Sequence, residues 1–552
     1  MYMDMNMDTN IQLQASVTTT TKIIPTPFQP KHIHGLPILQ RMGLTPAERL
    51  YWESYNTTTF FNTSLGKPRA LNCHVTSLLL SFLVIYPICL VFNNYSKKWY
   101  FFTLTVNQLL LLISYISLII YVSTFPNSEI WYPHNIYFKV FTILFLTVIL
   151  HFVFYCYLQR SKVSISQSKS EYISMEYLSS GQDNNLQRES GDFSEHDLDT
   201  LTPSSNYSEE ELTMMTPDLR SSSALNNTNL ITKFMYYFVK TWNVLLFFFI
   251  GVDIFIGLAI GCLFGKNERI FNLLAHWIKG GVFLILGVVA LGRYCGNGRS
   301  YGWAWNPIGF TRKQIEENST WGNLTPRGTI TMETIETGLI LFYGCTNVFL
   351  EHLAGAGGAW TAKDLQHVSI AFMYIGTGLC GVLIEGQLNK WRYEKAKELL
   401  VNGNPQDEET VCGSPGYSPN PFPTFTIFWT GILMSQHAQA SELSTSVHTQ
   451  WGSLLSYGSF FRILTYIIFY LKPAKSSKPT RPITELITSF CLICGGIIFM
   501  ESTDQVIEAM EYRGFTPLFT CNISVGVSVL LMSWLIILFM LKQKLDNLKN
   551  RS

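Results

Sequence analysis

Residues 100 to 123, YFFTLTVNQLLLLISYISLIIYVS, contain no charged side chain. A helix of that length crosses the roughly 30 Å hydrocarbon core of a bilayer. Similar runs recur along the chain, near 70–92, 100–123, 136–158, 236–264, 270–292, 329–352, 364–387, 422–438, 449–471, 483–502 and 516–541. No water in the bilayer core satisfies backbone polar groups, so spanning segments are helices or closed barrels. These runs are continuous rather than alternating, which selects helices. The expected fold is therefore all-α, a polytopic helical membrane protein with about eleven transmembrane helices. Charged residues make up 14% of the 552 positions, against about 25% in an ordinary soluble domain.

Lysine and arginine collect on the cytoplasmic side of short loops. Taking the connections alternately, one set holds Lys97 and Lys98, Arg293 to Arg327, Lys390 to Lys397, Lys472 to Arg481, and Lys542 to Arg551. The other set holds only Lys266, Arg269, Lys363 and Arg513. This bias predicts a cytosolic carboxy terminus and a lumenal or extracellular amino terminus, in an endomembrane or the plasma membrane. The predicted organisation is an outer tail over 1–69, helices one to three over 70–158, and a disordered, acidic, Ser/Thr-rich cytosolic loop over 159–233. Helices four and five with a cytosolic loop follow over 234–328, then a six-helix domain over 329–541 and a cytosolic tail over 542–552. Asn56 and Asn62 begin glycosylation sequons on the outer side. The polar start MYMDMNMDTNIQLQ has no signal-peptide pattern. That leaves two alternatives, a first span acting as signal-anchor or an incomplete amino terminus.

Function classes narrow from there. A net charge of +1 argues against a nucleic-acid surface. The chain carries no glycine-rich phosphate loop, no dinucleotide fingerprint and no soluble domain of flavin-binding size, so a redox role requires a small diffusible electron donor or a partner. The CxxC of Cys491 and Cys494 lies inside a span and reads as packing.

Polar residues are distributed unevenly. Under the predicted topology, seven of the eight histidines in or beside spans lie at the outer face: His74, His134, His276, His352, His367, His437 and His448. Only His151 reaches toward the cytoplasmic half. Interfacial placement would account for one or two of these but predicts imidazoles at both faces. Glu351, Glu442, Glu501, Asp504 and Glu508 join the outer set. Imidazoles and carboxylates converging from several helices suit a divalent metal, haem or a proton relay. His352, His367, His437, His448 and Glu351 are the candidate metal ligands. Deeper in the spans lie Asp253, Lys279, Glu336, Glu385 and Arg462. A charge at mid-bilayer costs on the order of 2.5–3.5 kcal/mol, so partners are expected, with Glu336 and Glu385 the candidates for Arg462.

Five stretches carry a family resemblance: LTPAERLYWESYNTTTFF (44–61), HWIKGGVFLILGVVALGR with GWAWNP (276–293, 302–307), EHLAGAGGAWTAKDLQHVSIAFMYIGTGLCG (351–381), NPFPTFTIFWTGILMSQHAQASELSTSVHTQWGSLL (420–455) and ELITSFCLICGGIIFMESTDQVIEAMEYRGFTP (485–517). Together they resemble the fungal Ytp-like membrane proteins, over nearly the whole chain except the extreme amino tail and the acidic loop. The resemblance extends to an amino-terminal half similar to the cytochrome b-561 and ferric-reductase superfamily, in which paired histidines on facing helices hold haem b. Carried over, it implies that His74 and His276 face each other at the outer side, with His151 toward the inner half. The second span departs from that pattern, offering Asn107 and Gln108 where a histidine would stand. Three functions follow as alternatives: a haem- or metal-binding redox protein, a proton-coupled transporter of a solute, and a non-catalytic scaffold organised by the acidic loop.

Overall fold

In a computed structural model, the structure describes residues 35–93, 95–126, 128–179, 230–310, 330–350, 360, 362–402, 411–413, 419–436, 439–474 and 478–551. It is helical, apart from one short antiparallel pair, Ile308–Phe310 with Val411–Gly413. Nine helices among the described residues are long and apolar enough to cross a membrane, so the protein is a multi-pass membrane protein whose surroundings are a lipid bilayer. Two further helices stand where spans six and eight are expected: Met332–Leu350 of 19 residues and Phe422–Ser435 of 14 residues.

Within the predicted outer tail, residues 35–69 pack against the helices that follow, and 1–34 lie outside the described residues. Helix α1 (Pro46–Glu53) is closed by a capping box, with Thr45 N–H donating to Glu48 Oε2 at 2.8 Å and Glu48 N–H to Thr45 Oγ1 at 3.3 Å. Those bonds, the backbone one foremost, hold the Glu48 carboxyl below the usual carboxylate range. Trp52 is buried, and Phe60 N–H donates to the Gly261 carbonyl at 3.0 Å.

Four helices form a first bundle: α2 (Pro68–Phe92), α3 (Lys97–Thr124), α4 (Tyr137–Ser179) and α5 (Leu230–Gly261). Helix α4 continues past its apolar run to Ser179, and α5 begins at Leu230, so helix occupies both ends of the predicted acidic loop. The rest of that loop, 180–229, lies outside the described residues. Within α2, a π-turn at Ser81–Ile85 precedes Pro87. Proline has no N–H to give the carbonyl four residues back, here that of Leu83, and the Trp534 indole N–H bonds that carbonyl at 2.8 Å.

The remaining helices are α6 (Arg269–Cys295), α7 (Met332–Leu350), α8 (Ala362–Asn402), α9 (Phe422–Ser435), α10 (Glu442–Leu471), α11 (Ile483–Glu501), the short α12 (Asp504–Arg513) and α13 (Pro517–Arg551). Helix α6, the predicted fifth span, packs against α11 rather than with its sequence neighbour α5. Glycine explains the closeness. A Cβ on Gly287 would lie 2.8 Å from the Ile493 backbone nitrogen, and one on Gly496 2.6 Å from the Gly280 carbonyl. Small residues of this kind let membrane helices approach where no hydrophobic force drives them together.

Gly287→Leu is therefore expected to destabilise the protein by about 1–3 kcal/mol through overpacking. Gly281 has open space around it, so Gly281→Ala should leave the melting temperature in detergent unchanged. Equal melting of the two variants would refute the contact.

Candidate functional site

Arg462 sits well inside α10, fully enclosed by protein. Its Nη1 donates to Glu336 Oε1 at 2.8 Å and its Nη2 to Glu485 Oε1 at 2.7 Å. Arg293 joins from α6, with Nη2 3.6 Å from Glu333 Oε1 and Nη1 4.0 Å from both Glu336 and Glu485. Its Nε donates to the Trp303 carbonyl at 2.7 Å, and the guanidinium lies 4.2 Å from the Trp305 ring centroid. The Tyr466 hydroxyl donates to Glu333 at 3.4 Å.

All five charged residues are buried, Glu485 at 0% exposure. Helix ends assist them: Glu333 and Glu485 occupy first turns and Arg293 a last turn, matching the sign of the macrodipole at each end. The Gly296 stop holds Arg293 in that turn, with φ of 99° at the glycine. Three carboxylates meet two guanidiniums, so the network carries one surplus negative charge in its fully ionised form.

Of the predicted partners of Arg462, Glu336 is one and Glu385 is not. Glu385 Oε1 instead accepts from Arg392 at 3.0 Å and from Thr331 at 2.6 Å. Residues seven apart on one helix share a face, which gives Glu385 a nearer cation. Arg293, Glu333 and Glu485 are additions that the sequence reading missed. Arg293 had been counted among loop cations because it follows the last apolar run, yet Gly296 three residues later marks it as still helical.

At the other end of the same helices, His276 of α6 and His448 of α10 face each other with ring centroids 5.8 Å apart and planes at 88°. The Nδ1 of each lies 2.8 Å from the carbonyl four residues back, Asn272 and Ser444. A carbonyl only accepts, so in each ring Nδ1 carries a proton. His276 thus meets His448, not His74 as the haem pattern implied. His367 is half-buried on α8, and Lys279 follows His276 on α6. His352, His437 and Glu351 lie outside the described residues. Among the described residues, no group of three or more His, Cys, Asp or Glu is arranged to hold a metal ion. Glu501 and Glu508 separate: Glu501 accepts from Ser524 at 2.9 Å and Glu508 from Arg269 at 2.8 Å.

In the first bundle, His74 Nε2 lies 2.8 Å from the Tyr137 hydroxyl, and Nδ1 lies 3.0 Å from the Ser114 carbonyl and 2.8 Å from its Oγ. The bis-histidine haem ligation that the resemblance implied needs a ring nitrogen from each of two facing histidines. Both nitrogens of His74 are engaged, and its facing residues are a serine and a tyrosine, so that two-histidine pattern does not fit here. Asp253 and His151 are buried in the same bundle. Asn56 and Asn62 are exposed.

Removing Arg462 strands two buried carboxylates. Arg462→Met should cost about 3–5 kcal/mol, read by thermal unfolding in detergent. Arg462→Met with Glu485→Leu should cost less than Arg462→Met alone; a larger loss would refute the pairing.

Residues 249–543 match the family model described as Protein YTP1-like, C-terminal, and residues 54–160 match a domain of unknown function, DUF2427. The chain is similar to the uncharacterized membrane protein YCR061W of Saccharomyces cerevisiae, at 48% identity over 97% of this chain and 92% of that protein. It is also similar to the uncharacterized membrane protein C3B8.06 of Schizosaccharomyces pombe, at 42% identity over 50% of this chain and 53% of that one. Protein YTP1 of Saccharomyces cerevisiae is 25% identical over 31% of this chain and 30% of its own length. No solved structure matches. The chain belongs to the Ytp1-like family of fungal membrane proteins.

Proposed function

We propose that this protein is a proton-linked membrane carrier for a divalent transition-metal ion. One observation carries the reading: α6 and α10 each bear a histidine toward one end and an arginine toward the other, and both pairs converge on their own cluster. About 21–26 Å of helix rise separates the two levels. A change in the spacing of α6 and α10 therefore alters both at once.

The outer pair offers two imidazole nitrogens, a donor set that suits zinc, copper or nickel. The inner network supplies the proton. A proton on one of its three carboxylates neutralises the surplus charge, and its release restores it. Metal ligation at one level and protonation at the other are linked through the same two helices. The expected redox role has less support, since the first bundle offers no paired axial histidines.

The test uses purified full-length protein and Co(II), followed by its visible absorption. His276→Gln and His448→Gln should each weaken Co(II) binding by about tenfold or more, the effect usual for disturbing such a site. In liposomes, Glu336→Gln should abolish the pH dependence of metal uptake. Unchanged Co(II) affinity in both histidine variants would overturn the reading.

The orientation that goes with this function puts the histidine level outside and the arginine level toward the cytosol, as the basic-residue bias predicts. Asn56→Gln should then remove an endoglycosidase-sensitive mobility shift. Protection of a carboxy-terminal tag from protease in sealed, right-side-out endomembrane vesicles would reverse the assignment.

A further inference from the structure

Helix α3 buries Tyr100, Leu104, Asn107, Leu111, Ser114, Leu118 and Tyr121 along one seam, with Ser117 buried at its flank. The seam alternates leucine with a polar side chain, and the polar members recur every seven residues. Leucine alone would pack such a seam. Each polar member instead makes a hydrogen bond. The Tyr100 hydroxyl donates to Asn243 Oδ1 at 2.8 Å, Asn107 Oδ1 accepts from Ser81 at 2.7 Å, Ser114 Oγ lies 2.8 Å from His74 Nδ1, and Tyr121 donates to the Phe60 carbonyl at 3.4 Å. From Tyr100 to Tyr121 the helix rises about 31 Å, matching the hydrocarbon thickness of about 30 Å.

Proton-bearing groups stand at both ends of this row. On the outer side His74 bonds the Tyr137 hydroxyl, and Asp253 of α5 lies beside the same hydroxyl. Gly257, one turn beyond Asp253, makes room for that ring: a Cβ there would sit 2.9 Å from Tyr137. On the inner side, Tyr86 donates to the Asn243 carbonyl at 2.9 Å, Tyr155 packs 4.8 Å from Tyr100, and His151 lies by the Val239 backbone. The thiol of Cys89 is directed at the Tyr100 carbonyl.

A purely structural row would pair every polar atom, because an orphan inside a membrane protein is costly. Here both Asp253 oxygens, the Asn107 amide nitrogen and both His151 nitrogens lack a well-formed hydrogen bond although fully enclosed. Buried polar atoms of this kind are normally completed by internal water.

We propose that the first bundle is a transmembrane proton path, with Asp253, His74 and His151 as proton-bearing stations and bridging waters between the levels of α3. Successive levels lie about 10 Å apart, a gap that two or three waters close. At the outer relay, the Asp253 carboxyl proton passes to the Tyr137 oxygen as the Tyr137 proton passes to His74 Nε2. His74 then releases its Nδ1 proton to Ser114 Oγ as the Ser114 hydroxyl proton passes to a bridging water, and Asp253 regains a proton from the outer side. One proton enters at Asp253, one leaves by that water, and no electron moves. This path shares no residue with the carrier reading and stands or falls apart from it.

The test reconstitutes the full chain in liposomes loaded with a pH-sensitive dye. A potassium diffusion potential drives protons, and a chelator keeps metal out so that metal-coupled exchange does not contribute. Proton influx should exceed that of protein-free liposomes. Asp253→Asn, Tyr137→Phe and Asn107→Leu should each lower it by at least tenfold. Tyr137→Phe removes one hydroxyl and keeps the ring's packing, and Asn107→Leu continues the leucine seam, so both should still fold, each with one partner short of a bond. Parent influx no faster than empty liposomes, or parent-like influx in folded Tyr137→Phe or Asn107→Leu, would overturn the proposal.

Discussion

A charge taken from water into a protein core within a bilayer survives only where other groups replace its hydration. Arg462 shows what that demands here. Its guanidinium needs Glu336 from α7 and Glu485 from α11, and those carboxylates need Arg293 from α6. Four helices are thereby held to one another at a single level, more specifically than apolar packing against lipid could achieve. The glycine contacts of α6 with α11 follow from the same closeness, since backbones must approach before short ionic contacts form.

The spans were legible because hydrocarbon imposes a length and a charge limit that composition alone reveals. Asp253, Glu336 and Arg462 stood out for the same reason, as charges where charges are costly. Partner choice was not legible. Glu485 and Arg293 fall at span ends, where carboxylates and guanidiniums are ordinarily solvated, and only the convergence of three helix ends on the interior of α10 buries them. Likewise the fifth apolar run joins α11 rather than α5, a long-range choice that periodicity cannot express. The seven-residue recurrence of Tyr100, Asn107, Ser114 and Tyr121 was written plainly in the chain. Against so apolar a background, its hydroxyls and amide passed as ordinary tolerated residues of a span.

The pairing of the histidines was not legible. The resemblance to the haem superfamily implied His276 with His74; folding places it with His448, because α6 and α10 belong to the same helix group. Residue spacing within a helix sets which side chains share a face. It says nothing about which helix that face will meet.

One small joint bears on how the two helix groups can move. Pro87 leaves the Leu83 carbonyl without its usual helical donor, and the Trp534 indole from α13 supplies one at 2.8 Å. Sliding α13 past α2 would leave a bare carbonyl facing acyl chains, so translation along the membrane normal is resisted at that point. Rotation about the same bond keeps donor and acceptor together. The bond thus ties α13 to α2 at one level and penalises relative sliding there more than relative rotation.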